Sequence, residues 1–191
     1  MSFGIQLHLW TQKHHRLQQE LTEANNKLTQ LSITDELTGL FNVRHLKSKA
    51  KQYQKMFRRY PKRTFSLAMI DVDQFKAYND QLGHLSGDQL LVILGTLIQK
   101  EIRQDLDFAF RYGGDEFVLF FPDTTSQETQ VVCERLVGRY RTKELEGTSL
   151  SIGIAEYKQI EGFLEIDRLI HEADKAMYTV KCQGGDGISV F

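Results

Sequence analysis

At 191 residues and 41% hydrophobic content, the chain is sized for one domain plus an appendage and has enough apolar matter for a real core. A formal net charge of −1 excludes general electrostatic attraction to nucleic acid or to an anionic membrane, so an acidic substrate has to be held locally, by metal or by a few basic residues. No apolar run approaches the roughly 18 residues of a membrane-spanning helix, the N-terminus lacks the apolar core of a signal peptide, and the two cysteines, Cys133 and Cys182, have no metal-ligand spacing and read as reduced thiols of a cytoplasmic protein.

In chain order, the mildly apolar Met1 to Trp10 reads as the stub of an upstream segment. Trp10, His14, Leu17, Leu21, Ala24, Leu28 and Leu31 then alternate spacings of four and three among polar residues, the a/d seam of a helix. One narrow apolar stripe on a polar helix needs a partner, and a second copy of the chain is the simplest; the alternative is a helix folded back on its own domain. Residues 1–32 are therefore expected to form a dimeric coiled-coil stalk, with the globular domain over 33–191. Thr34 and Asp35 break the helical pattern, Gly39 marks a turn, and Asn42 is placed to cap a helix running to about Arg59, closed by Pro61. Phe65 to Asp71 reads as a buried strand ending in a carboxylate. Gly83 and Gly87 fall in a polar stretch read as a loop. Leu85 to about Ile102 reads as a helix with Leu90, Leu91, Ile93, Leu94, Leu97 and Ile98 inward. A hairpin follows, then a helix over Thr125 to about Arg141, a strand over Ser149 to Glu156, a helix over Glu165 to about Lys181 and a short last strand. This order contains the βαββαβ pattern of an α+β, ferredoxin-like fold with a mainly antiparallel sheet flanked by helices. There is no internal repeat and no low-complexity linker.

Chemistry concentrates in two places. In Arg111-Tyr112-Gly113-Gly114-Asp115-Glu116-Phe117, two glycines sit between apolar flanks, and the segment reads as a hairpin with a Gly-Gly turn. A ferredoxin-like sheet sets the first strand beside this hairpin, so Asp71, Asp115 and Glu116 are expected to converge on one edge. Hard carboxylate oxygens suit Mg²⁺ or Mn²⁺, and two such ions stabilise the attacking and leaving oxygens of a phosphoryl transfer. Alone, Asp71 is more simply a strand-end cap and Asp115-Glu116 an exposed turn; with the glycines and Lys76, the metal reading is preferred. The second place runs from Asp71 to Asp88, a polar turn entering a helix and a natural seat for phosphates. Lys76 supplies a point charge for a triphosphate. Asn79 and Asp88 offer an amide and a carboxylate; the carboxylate accepts from the N1–H and 2-amino groups of guanine, a donor pair adenine lacks. Each of these alone is more often a cap or a solvated residue.

Together the motifs resemble the GGDEF-domain diguanylate cyclases, a family named for Gly113 to Phe117. The resemblance covers about Leu31 to Phe191. Asp35 to Asn42 matches DxLTGLxN, Asp71 to Asp80 matches DxDxFKxxND, Gly83 to Asp88 matches GHxxGD, Ser151 to Ala155 matches SxGIA, and Ala173 to Tyr178 with Lys181 matches ADxALYxxK. The resemblance implies a nucleotidyl-cyclase palm, bacterial signalling, and condensation of two GTP into cyclic di-GMP and two pyrophosphates. Each 3′-hydroxyl attacks the α-phosphate of the other GTP, so two domains must face each other. It implies that Asp71, the Val72 carbonyl, Asp115 and Glu116 bind two Mg²⁺ or Mn²⁺ ions, and that Asp115 helps deprotonate the 3′-hydroxyl. Lys76 and Lys181 hold phosphates, while Phe75, Asn79, His84 and Asp88 form the guanine site. Asp115, Glu116 and Lys76 are the catalytic set.

Two departures stand out. The family's inhibitory product site is RxxD; here its arginine position is Gln104 with Asp107 in place, and Arg103 is one residue off, where it is expected to face elsewhere. Product feedback is therefore expected to be weak or absent. The family's phosphate-binding arginine after Lys181 is replaced by Gly185, which implies weaker GTP binding rather than inactivity. A catalytically silent GTP-binding signalling module is the runner-up, favoured only by Gly185. A cyclic di-GMP receptor is disfavoured by Gln104, and a mixed adenine–guanine cyclase by Asp88. The input is open: an upstream sensor or regulatory partner is left room by the stalk.

Overall fold

The computed structural model describes residues 8, 10–22, 33–59, 63–145, 147–157 and 166–191, with backbone only at 54, 57 and 58. The chain divides into two compact units, Met1–Ile33 and Thr34–Phe191. In the first, helix α1 covers 10–22. Along it Trp10 stacks on His14 with ring centroids 5.2 Å apart, Arg16 pairs with Glu20 one turn on, and Trp10, Leu17 and Leu21 are exposed. The remaining seam residues, Ala24, Leu28 and Leu31, lie outside the described residues, as does Pro61.

The second unit holds β1 (Phe41–Asn42), α2 (Val43–Arg59), β2 (Phe65–Asp73), α3 (Phe75–Leu82), α4 (His84–Glu101), β3 (Phe108–Gly113), β4 (Glu116–Pro122), α5 (Ser126–Arg141), β5 (Ser149–Tyr157), α6 (Ile166–Cys182) and β6 (Gly187–Val190). The six strands form one sheet in the order β1-β3-β4-β2-β5-β6. β2 runs antiparallel to both β4 and β5, and the outer pairs β1/β3 and β5/β6 are parallel. β3-β4-β2-β5 is the ferredoxin-like order expected from the βαββαβ pattern.

β2 explains why its sequence is an almost unbroken apolar run. Ala68, Ile70 and Val72 face one core cluster, with residues of α4 and α5. Phe65, Leu67 and Met69 face the other, with residues of α2 and α6. A strand buried on both faces cannot alternate with polar residues. Asp71 and Asp73 are the next two positions on the α6 side, and there the strand runs out of core. Each fully buried Phe or Leu contributes about 1.5–3 kcal/mol, and Phe65, Phe110, Phe117, Phe120 and Phe121 are all in this class.

Local signals set the helix ends. The Asn42 side chain accepts from His45 N at 3.0 Å, as its capping role requires. Thr125 and Glu128 form a reciprocal capping box at the start of α5. Two elements differ from expectation: the short strand β1 was not foreseen, and the stretch around Gly83 is helical. Residues 75–82 are helical, Gly83 is the joint between α3 and α4 at φ 86°, and Gly87 is buried inside α4 rather than in a loop.

Candidate active site

The site lies where β2 and β4 reach the same end of the sheet. Asp71 is paired in register with Glu116 on β4 and with Ser151 on β5. Two carboxylates directly opposite on neighbouring strands repel. Burial pushes the Asp71 carboxyl above its ordinary range, the Lys181 ammonium draws it back, and Asp115 and Asp73 push it up again. Burial also raises Glu116, and the charges of Asp71 and Asp115 add to the effect. Lys181 Nζ sits 2.7 Å from Asp71 Oδ2, a cation already placed on the carboxylate.

Asp115 occupies the hairpin tip between Gly114, which is left-handed at φ 49°, and Glu116. A Cβ added to Gly113 or Gly114 meets nothing within 4 Å, so the space before the tip is open. Arg111 fixes the tip: its Nε and one terminal nitrogen donate to Gly114 O at 3.0 and 2.8 Å. Its other terminal nitrogen reaches both Asp35 oxygens at 3.2 and 3.3 Å. Burial raises the Asp35 carboxyl, but hydrogen bonds from Thr38 and the Arg111 charge outweigh it and hold the group below its usual range. This link between the first turn of the domain and the hairpin was not foreseen; the only signal was a charge on an otherwise apolar strand.

The expected three-carboxylate set forms only in part. Asp71 and Glu116 stand opposite each other in register, and Asp115 is near enough for its charge to raise both, without joining them in one close cluster. Among the described residues, no three His, Cys, Asp or Glu side chains are grouped to hold a metal. The donors nevertheless fit a hard divalent cation: oxygen ligands of one charge, partly buried, with an ammonium standing in on Asp71.

Across the site, Gln74 takes a left-handed φ of 59° ahead of α3. Phe75 and Lys76 open that helix, and Lys76 is exposed. Asn79 lies against α4 so closely that a Cβ on Gly87 would fall 1.9 Å from its Oδ1. That oxygen is buried without a hydrogen-bond partner among the described residues, an unmet acceptor. His84 and Asp88, in the first turns of α4, are exposed. The Val72 side chain is buried in the core, leaving only its backbone for a ligand role.

The family model described as diguanylate cyclase, GGDEF domain, matches residues 32–187. The chain belongs to this family. Diguanylate cyclase DgcP of Pseudomonas aeruginosa is 35% identical over 165 residues, 84% of this chain and 24% of that protein. The crystal structure of the coiled coil and GGDEF domain of DgcB from Caulobacter crescentus, in complex with c-di-GMP, aligns with a TM-score of 0.77 at 25% identity over 100% of both chains. The Pseudomonas aeruginosa diguanylate cyclase SiaD, in complex with its activator SiaC, aligns with a TM-score of 0.76 at 32% identity over 97% of this chain and 72% of that one. The chain spans about a quarter to a half of the length of the curated relatives it matches.

In this GGDEF domain both departures take on a physical form. Arg103 does not face elsewhere: it binds Asp107 through its backbone N at 2.7 Å, Nε at 3.0 Å and a terminal nitrogen at 2.6 Å. Residues 103–107 form a turn closed by Asp107 N on Arg103 O, with Asp105 left-handed, so strand alternation does not apply to them. The Asp107 side chain is 2% exposed, and both its oxygens already accept from Arg103. Gly185 has φ 81°, and a Cβ there would fall 2.8 Å from the Asp73 carboxylate. No side chain fits at that position without moving Asp73 or the turn, so restoring an arginine there would strain the backbone. Cys133 is buried with its thiol pushed up to about 12, and Cys182 is free and exposed.

Proposed function

We propose that this GGDEF domain is a diguanylate cyclase that condenses two GTP into cyclic di-GMP, releasing two pyrophosphates. The observation that carries the reading is Asp71 in register with Glu116, with Lys181 already on Asp71. In each half-reaction a 3′-oxygen bonds to the α-phosphorus of the other GTP as the bond to pyrophosphate breaks, and the hydroxyl proton departs. Asp115, at the open tip, receives that proton. Mg²⁺ or Mn²⁺, two per site, would be held by Asp71, the Val72 carbonyl, Asp115 and Glu116, and would neutralise charge developing on the phosphate oxygens. Lys76 and Lys181 bind the triphosphate. Asn79 and Asp88 read guanine beside Phe75 and His84; the unpartnered Asn79 Oδ1 supports this assignment.

One domain holds one GTP, so two copies must meet. The exposed Trp10, Leu17 and Leu21 of α1 support a stalk over residues 1–32 that pairs two chains. Pairing turns a two-body encounter into a local one. The likeness to SiaD, solved with an activator, supports control by a regulatory partner acting on this domain. No helix among the described residues is long and apolar enough to cross a membrane; the reading places the domain in the cytoplasm, where GTP is supplied. With Asp107 saturated by Arg103, product feedback through that site is weak. The test is incubation with GTP and Mg²⁺ and detection of cyclic di-GMP by mass, with Asp115→Ala as control. Product from the wild type alone is expected; no product from a verified dimer would leave the silent GTP-binding module.

A further inference from the structure

Asp71 and Asp73 stand two residues apart on β2 and therefore share a face. Each holds the end of α6. Asp71 does so through the Lys181 side chain. Asp73 does so through backbone: its Oδ2 accepts from Asp186 N at 3.0 Å and from Ser149 Oγ at 2.6 Å, while Oδ1 accepts from Ser151 Oγ at 2.7 Å. The turn it grips runs through three left-handed residues in a row, Gly184, Gly185 and Asp186, at φ 108°, 81° and 53°. The first two cap α6, Gly184 N donating to Lys181 O and Gly185 N to Val180 O. Gly185 lies flat on the Asp73 carboxylate, and the Asp186 side chain is tied on its far side to Arg141 at 2.9 Å.

Lys181 has three N–H donors, and those it turns toward a phosphate are no longer aimed at Asp71. When Asp71 binds a metal and Lys181 turns to the triphosphate, the side-chain tie between α6 and β2 is lost and the Asp73 tie remains. Resting on the phosphate-binding role proposed above, we infer that Asp73 is a positioning residue: it holds the α6–β6 turn in place so that Lys181 stays within reach of the triphosphate. The position calls for a carboxylate. Three donors converge on it, two hydroxyls and one N–H, and both carboxyl oxygens accept from them. Asparagine keeps the size but turns a donor toward part of that set.

The test is a double-mutant cycle on equilibrium binding. 3′-deoxy-GTP, which lacks the attacking hydroxyl, is titrated with Mg²⁺ into wild type, Asp73→Asn, Lys181→Ala and the double variant, by calorimetry, alongside thermal melts. Each single change is expected to weaken binding about tenfold or more, the loss of one charged hydrogen bond to phosphate. The double variant is expected to bind no more weakly than Lys181→Ala. Equal losses from Asp73→Asn with and without Lys181, or no loss at all, overturn the inference while leaving the Lys181 role standing. Wild-type affinity in Lys181→Ala overturns both. Should Asp73→Asn fail to fold, Ser149→Ala, which removes one of the three donors, is carried through the same cycle with the same criteria.

Discussion

At the scale of single residues, the site is defined by which polar atoms are left without partners and which are already claimed. Asn79 Oδ1 is buried and unpartnered, and Gly87 is the residue that lets it lie there. Gly87→Ala puts a methyl group into the amide. The atom displaced is the end of a movable side chain, and alanine favours the helix by up to about 1 kcal/mol, so the fold should stay as stable or gain slightly. The KM for GTP should rise about tenfold, the value of a misplaced hydrogen bond in a polar pocket, with kcat less affected. Steady-state kinetics with a melting curve checks this; an unchanged KM would detach Asn79 from the base. The residue types of the candidate site were readable from sequence only in combination, because a carboxylate at a strand end or a lysine at a helix start is, alone, more often a cap or a solvated residue. The claims they make on each other were not. That Arg103 folds onto Asp107 depends on a left-handed Asp105, and that Asp73 takes three donors depends on strand register, neither of which spacing reveals.

At the scale of elements, α6 packs backbone to backbone on β5. A Cβ on Gly153 would fall 2.0 Å from Ala173 O and 2.2 Å from Met177 N, both backbone atoms that cannot turn aside. The helix that bears Lys181 thus lies directly on the strand. Gly153→Ala must push the two apart, and overpacking of this kind costs typically about 1–3 kcal/mol, occasionally more. Urea denaturation should show a lower midpoint with an unchanged slope, and GTP binding should weaken with it because Lys181 moves. An unchanged midpoint would mean that α6 seats more loosely than described. The elements themselves were largely legible, since β2, α4, α5 and β5 each carry a clear apolar period or run. The exceptions are the two-residue β1, too short to show a period, and α3. Two glycines in a polar stretch indicate a loop, yet one is a joint between helices and the other is a contact surface for Asn79, a tertiary reason that outweighs local preference.

At the scale of the whole molecule, the proposed condensation needs two active sites to share their substrates. Leu17 and Leu21 are exposed on α1, so changing both to lysine should leave the GGDEF domain folded. Specific activity should then depend on protein concentration. It should fall about 10²-fold or more under dilute conditions, where pairing no longer supplies a high local concentration, and recover as concentration rises. Sedimentation velocity beside the activity assay checks this; undiminished activity in a monomeric variant would place the pairing surface elsewhere. The sheet bears on the same encounter. Its two edge strands are its shortest, two residues in β1 and four in β6. The proposed pairing would expose the domain to a competing outcome, in which strands zip edge to edge and the sheet grows from molecule to molecule. Edges this short offer few unpaired N–H and C=O groups as a template. Edge-to-edge growth is then disfavoured, which leaves the proposed pairing surfaces as the favoured route by which copies meet.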